Sequence, residues 1–337
     1  MTPKRINLAL QGGGAHGAYT WGVLDRLLDD DRIEVEAISG TSAGAMNAAV
    51  FADGMGRGGR VEAKRALEAF WRNISQAAQY GPFQPTPFDR LARGWNLDHS
   101  MAFVAFDVLT RMLSPYQLNP ANWNPLRAVL EKSVDFQRLE GCRAIKLFIC
   151  ASNVKTGKVR VFKSGEITPD VLLASACLPY LFQAVTIDGE PYWDGGYMGN
   201  PAIFPLIYGS NAPDVLIVQV NPLGCDGVPT TAAEIMNRLN EISFNSSLMR
   251  EMRAIAFVTD LIDQGKLNGN EYKRVHVHWI EAEKQMRGLG VSSKLNARMD
   301  FLLHLKEIGR GVAEHWLDTH YDAIGERSTI DIQEKFL

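Results

Sequence analysis

The pattern that most constrains how this chain can fold occurs twice near its start: an apolar run, a glycine-rich turn and a helix-forming segment. Ile6-Asn7-Leu8-Ala9-Leu10 leads into Gln11-Gly12-Gly13-Gly14-Ala15-His16-Gly17, and Trp21, Leu24 and Leu28 then share one helical face. Val35-Glu36-Ala37-Ile38-Ser39 leads into Gly40-Thr41-Ser42-Ala43-Gly44, followed by the helix former Ala45-Met46-Asn47-Ala48-Ala49-Val50. Further apolar runs at Ile145–Ala151, Val159–Phe162 and Val215–Val220 are near-continuous rather than alternating. Strands of that kind are covered on both faces.

The second turn places serine at the apex of a strand-turn-helix. Small residues on either side let the backbone bend sharply and push the Ser42 hydroxyl out of the fold, where a substrate carbonyl can reach it. Ser42 is therefore the candidate nucleophile, although the pentapeptide by itself also suits an ordinary turn. In the first turn, consecutive glycines let amide N–H groups converge at a helix N-terminus, where the helix dipole favours negative charge. Such a loop binds an anion, either a phosphate or the transient oxyanion of an acyl transfer.

Gly12, Gly14 and Gly17 do match the Gly-x-Gly-x-x-Gly of dinucleotide sites. A Rossmann unit wants an acidic residue at the end of the next strand, whereas Glu34 and Glu36 lie at its start, and no Walker lysine follows either loop. An oxyanion hole beside a nucleophilic serine accounts for both loops together.

None of the histidines is set off by a motif: His16 lies in the glycine loop, His99 in a polar stretch, His276 and His278 on a predicted strand, and His304, His315 and His320 in the C-terminal helical region. Among the carboxylates, Tyr192-Trp193-Asp194-Gly195-Gly196 places one acid directly before two glycines, after the strand-like Val185-Thr186-Ile187 and the turn Asp188-Gly189-Glu190-Pro191.

Gly12-Gly13-Gly14-x-x-Gly17, Gly40-Thr41-Ser42-Ala43-Gly44, Ala174-Ser175-Ala176-Cys177-Leu178-Pro179 and Asp194-Gly195-Gly196 resemble, in order and spacing, the four blocks of the patatin-like phospholipases, over about residues 6 to 222. That resemblance implies an α/β fold, a three-layer α/β/α sandwich with a mainly parallel central sheet. It implies a dyad without histidine, with Ser42 as nucleophile and Asp194 as general base, and an oxyanion hole from Gly12, Gly13 and Gly14 with Ala43. No metal or cofactor enters such a scheme. One position departs from the family, which usually carries Arg or Lys where this chain has His16. Histidine is only partly protonated at neutral pH, so His16 is left out of the catalytic set with its role open, the plain reading being a first-turn helix residue facing solvent.

Residues 1–222 are expected to form the catalytic domain and residues 223–337 a mainly helical extension packed on it. The extension is read as one long helix, or two, over Thr231–Gln264, a strand over Tyr272–Ile280 and an amphipathic helix over Leu295–Trp316 carrying Phe301, Leu305, Ile308 and Val312. Core packing is expected for these helices, with a homodimer interface or a membrane-facing surface as the alternative. An apolar insertion at about 81–126 includes Gly81-Pro82-Phe83-Gln84-Pro85-Thr86-Pro87-Phe88 and a segment with Met101, Phe103, Val104, Phe106, Val108, Leu109, Met112 and Leu113. Apolar on more than one face, that segment is expected to be buried at least part of the time, as a packed insertion or as a lid.

A hydrophobic content of 46% in 337 residues is ample for a large core, and a formal charge of −3 provides no basic surface for nucleic acid. The first strand begins almost at Met1 and no apolar run reaches transmembrane length, so the expectation is a cytoplasmic protein without a signal peptide, touching membranes only peripherally through local patches. Cys142, Cys150, Cys177 and Cys225 lack CxxC spacing, and Cys150 and Cys177 are expected as buried thiols. The leading functional reading is a serine hydrolase of phospholipid or other acyl-lipid esters. An acyltransferase using the same acyl-enzyme and a non-catalytic lipid-binding regulator are the alternatives.

Overall fold

The near-continuous apolar runs form the middle layer of a three-layer α/β/α sandwich with a mainly parallel sheet, as expected. The computed structural model describes residues 2–79, 94–98, 100–142, 144–268 and 271–337. Among these, eight strands join in one sheet: β1 Lys4–Leu10, β2 Ile33–Gly40, β3 Lys146–Asn153, β4 Val159–Lys163, β5 Val185–Ile187, β6 Glu190–Asp194, β7 Asp214–Val218 and β8 His276–Ile280. The pairs β3–β2, β2–β1, β1–β7 and β7–β8 are parallel. Strands β4 and β6 run antiparallel to β3, and β5 antiparallel to β6.

Successive side chains on a strand point to opposite faces, so a strand buried on both sides feeds two cores. Leu8, Leu10, Leu216 and Val218 enter one, where Trp21, Phe51, Leu172 and Phe301 pack; Ala9, Val215 and Ile217 enter the other with Leu206, Leu248 and Met252. The first core is covered by helices α1 Gly17–Leu27, α2 Ala43–Ala78, α4 Pro125–Ser133, α5 Pro169–Ser175 and α8 Met299–His320. The second is covered by α6 Phe204–Gly209 and α7 Ala232–Asp263. Thr231 begins α7 with a capping box: its hydroxyl accepts the Glu234 amide while the Glu234 carboxylate accepts the Thr231 amide.

Helices α1 and α8 meet through glycines. A Cβ on Gly22 would lie 2.0 Å from the Lys306 carbonyl oxygen, and one on Gly309 would lie 2.1 Å from that of Tyr19. The stripe expected on the C-terminal helix is there, with Phe301 and Leu305 buried and Ile308 and Val312 partly so.

The apolar segment of the insertion forms α3, Met101–Met112, and is covered on one side only. Val104, Val108 and Leu109 are about half exposed and Met112 is 76% exposed, whereas Phe103 and Phe106 are half-buried. With hydrophobic residues all round, α3 covers one side and leaves the other in solvent. The part of the insertion from Gly81 to Phe88 lies outside the described residues, as does His99. No helix among the described residues is long and apolar enough to cross a membrane.

The register of β3 is what builds the site. Phe148 and Ile149 pair with β2 on one edge and β4 on the other, while Ala151 pairs with both Arg160 of β4 and Asp194 of β6. A residue has only two edges, so β2 and β6 share one. Strand β2 leaves it at Gly40, opposite Ile149, and β6 takes it over in the reverse direction, ending at Asp194 opposite Ala151.

Candidate active site

The end of β6 thus lies against the turn that leaves β2. The hairpin delivering it is set by Asp188 and Gly189, both in the left-handed region at φ 51° and 79°, between the paired residues Ile187 and Glu190. Positive φ at both central residues marks a two-residue turn whose twist suits the flanking strands. Thr41 clamps the junction by donating its hydroxyl to the Gly199 carbonyl at 2.6 Å, and the Asp194 amide donates to the Cys177 carbonyl at 2.8 Å.

Ser42 sits at φ 55°, ψ −121°, a strained conformation for a residue with a side chain, between the end of β2 and the first turn of α2. Its amide donates to the Ser175 hydroxyl at 2.9 Å, so the third sequence block acts as a brace behind the turn. The first glycine loop lies alongside: the Thr41 amide reaches the Leu10 carbonyl at 3.3 Å, and a Cβ on Gly12 would lie 2.7 Å from Ser42 Cβ. Only glycine permits that approach.

Gly12, expected among the oxyanion donors, is corrected to a different part. Its N–H is already donated to Asn200 Oδ1 at 2.7 Å, and its carbonyl accepts from Asn221 Nδ2 at 2.8 Å. The amides of Gly13, Gly14 and Ala43 have no acceptor among the described residues. Gly14 holds φ 59°, and a Cβ there would lie 2.5 Å from the Lys294 carbonyl oxygen.

Asp194 is fully buried. Its Oδ1 accepts the Gly196 amide at 2.7 Å, while Oδ2 has no hydrogen-bond partner among the described residues. Burial pushes the carboxyl up from its ordinary value to about 7, against the opposing pull of the Gly196 amide, the Ser42 hydroxyl and the Lys294 charge. The hydroxyl is thus close enough to favour the carboxylate without closing a bond of ordinary geometry.

His16, whose role the sequence left open, does not face solvent: it is 3% exposed, with Nε2 2.7 Å from Ser293 Oγ. The Ser293 hydroxyl donates to the Gly290 carbonyl, so Nε2–H of a neutral imidazole is the donor to Ser293. Burial first, then the nearby Lys294 charge, lowers its pKa to about 3. Cys150 and Cys177 are buried free thiols, with burial pushing them up to about 11 and about 12. A cavity of about 630 Å³ opens behind the glycine loop, lined by His16, Val220, Arg238, Glu283 and Lys294, but neither Ser42 nor Asp194 lines it.

Residues 8–207, more than half of the chain, match the family model described as patatin-like phospholipase. The chain belongs to the patatin-like phospholipase family. Membership of the patatin-like phospholipases makes it, at family level, one of the lipid acyl hydrolases. Comparison with curated proteins gives no match. Among solved structures, VipD from Legionella pneumophila is similar at 16% identity and a TM-score of 0.42, over 99% of this chain and 73% of VipD. The type III effector ExoU, in its complex with SpcU from Pseudomonas aeruginosa, is similar at 17% identity and a TM-score of 0.35, over 94% of this chain but only 52% of that one. Likenesses this distant identify no substrate or partner for this patatin-like chain.

Four polar residues around the site escape sequence reasoning: Ser175, Asn200, Asn221 and Lys294. Ser175 stands inside one of the four motif blocks, which is a usable signal; the other three reach the loops from positions with no motif or periodicity around them.

Proposed function

We propose that this patatin-like protein hydrolyses carboxylic esters of phospholipids or related acyl lipids through an acyl-enzyme on Ser42, with Asp194 as general base. The observation that carries the reading is the Asp194 carboxyl: fully buried, one oxygen without a partner, and titrating near 7 beside a strained serine. A base with that pKa holds a useful fraction of carboxylate at neutral pH and still returns the proton readily.

Asp194 accepts the Ser42 proton as Oγ attacks the ester carbonyl carbon. The amides of Gly13, Gly14 and Ala43, which have no other acceptor among the described residues, hold the tetrahedral oxyanion. Collapse breaks the carbon–oxygen bond to the alcohol, which leaves with the proton carried by Asp194. Water then gives a proton to Asp194 and attacks the acyl-enzyme, and the proton returns to Ser42 as the fatty acid departs. An oxyanion donor is typically worth roughly 3 to 4 kcal/mol, so the glycine loop contributes on the scale of the dyad. The half-exposed apolar side of α3 meets the lipid surface, and residues 223–337 complete the domain begun by residues 1–222.

Fluorophosphonate labelling tests the assignment, with an ester panel of varied head group and chain length to follow. Wild type should label at one site, and both Ser42→Ala and Asp194→Asn should lose labelling. Labelling that persists in Ser42→Ala would sink the dyad.

A further inference from the structure

The loop that packs against Gly14 comes from far along the chain. Lys294 lies in the 3-10 turn Val291–Leu295, well beyond residue 207 where the family match ends. Its ammonium donates to two neutral amide oxygens, Asn221 Oδ1 at 2.8 Å and Asn240 Oδ1 at 3.3 Å, and forms no ion pair among the described residues. Asn221 in turn holds the Gly12 carbonyl at 2.8 Å, so the ammonium is one side chain removed from the glycine loop. On its other side it stands 5.9 Å from the centre of the Phe244 ring, whose edge fills the space beside Gly196, and the Gly196 amide holds Asp194 Oδ1.

Lys294 is half-buried and lines the cavity behind the glycine loop, and its ammonium has no carboxylate partner among the described residues, between the two loops that carry the site. Burial lowers its pKa to about 8, against the pull of Glu241 and Asp194. The groups facing it are His16 from the glycine loop, Asp194 from the end of β6, Asn221 after β7, and Asn240, Glu241 and Phe244 from α7. Of these, Asp194 and Glu241 are the acids, and His16 is neutral in its bond to Ser293.

We propose that Lys294 is the positioning cation of this active site, its charge holding Asp194 in the proton-accepting form and bracing the glycine loop through Asn221. The inference rests on the Ser42–Asp194 reading. It supplies the positive charge that neutral His16 cannot.

The test is the pH profile of kcat/KM on a soluble p-nitrophenyl ester for wild type, Lys294→Met and Lys294→Arg, with Ser42→Ala alongside. Wild type should rise through about pH 7 as Asp194 ionises. Lys294→Met should move the rising limb to higher pH, a loss of activity at pH 6 that narrows as the pH rises. Lys294→Arg keeps its charge throughout, so its rising limb should stay where that of wild type lies. A folded Lys294→Met with the wild-type profile overturns the proposal. So does a folded Lys294→Arg whose rising limb is displaced as far as that of Lys294→Met. Hydrolysis that persists in Ser42→Ala sinks the dyad instead, whereas Ser42-dependent hydrolysis indifferent to residue 294 sinks only this role.

Discussion

At the scale of single residues, the site stores its cost in Asp194. In the folded protein this carboxyl keeps its proton up to about pH 7, while in the unfolded chain it loses it near the ordinary value of 3.8. A raised acid of this kind stabilises the fold fully only below the unfolded value, and that contribution is lost as pH rises from about 4 through 7. The gap between the folded and unfolded values corresponds to a ceiling of about 4 kcal/mol. Asp194→Asn removes the buried charge, so the variant should be inactive yet more stable than wild type above pH 7. Urea denaturation at pH 4 and pH 8 measures it: the gain should be large at pH 8 and small at pH 4, and an equal gain at both would contradict the burial argument. Ser42, Asp194, Gly13, Gly14 and Ala43 are legible as candidates because each sits in a short motif whose backbone geometry is local. The roles of the Gly12 amide and His16 are not legible in that way, because what they bond lies far off in sequence, at Asn200 and Ser293.

At the scale of elements, the close contact of α1 and α8 makes a sharp test. Neither Gly22 nor Gly309 has room for a methyl group, since the nearest atoms are backbone carbonyl oxygens that cannot move without shifting a helix. Overpacking of this sort costs typically about 1–3 kcal/mol. Gly22→Ala should therefore lower the melting temperature by several degrees, and thermal unfolding followed by circular dichroism reads it directly; an unchanged midpoint would mean the helices are not in contact. Strand and helix identity is readable from apolar runs and periodicity, as for β1, β2 and α7. The exposed side of α3 is not, because hydrophobicity on every face of a helix does not say which face finds a neighbour.

At the scale of the whole molecule, residues beyond 222 belong to the core. Strand β8 pairs with β7 along five residues, Phe301 and Leu305 of α8 are fully buried in the first core, and Lys294 meets the glycine loop. A chain ending at residue 222 would expose Trp21 and Leu24 on α1 and the outer edge of β7. It should be insoluble or lack a cooperative transition, and expression with gel filtration and thermal unfolding checks this; a monomeric, cooperatively folding fragment would contradict it.

By itself the sequence determined the local pieces: two strand–glycine–helix turns, a serine at an apex, an acid before two glycines, and strands apolar enough to lie between layers. These depend on residues within a few positions of one another, where backbone sterics and periodicity act. Only the tertiary structure decided that β2 and β6 share one edge of β3, which sets Asp194 beside Ser42, and that a lysine from the far end of the chain lies against the loop. Pairing register and long-range packing are set by the sum of many weak contacts across the sheet, which no short stretch of sequence encodes.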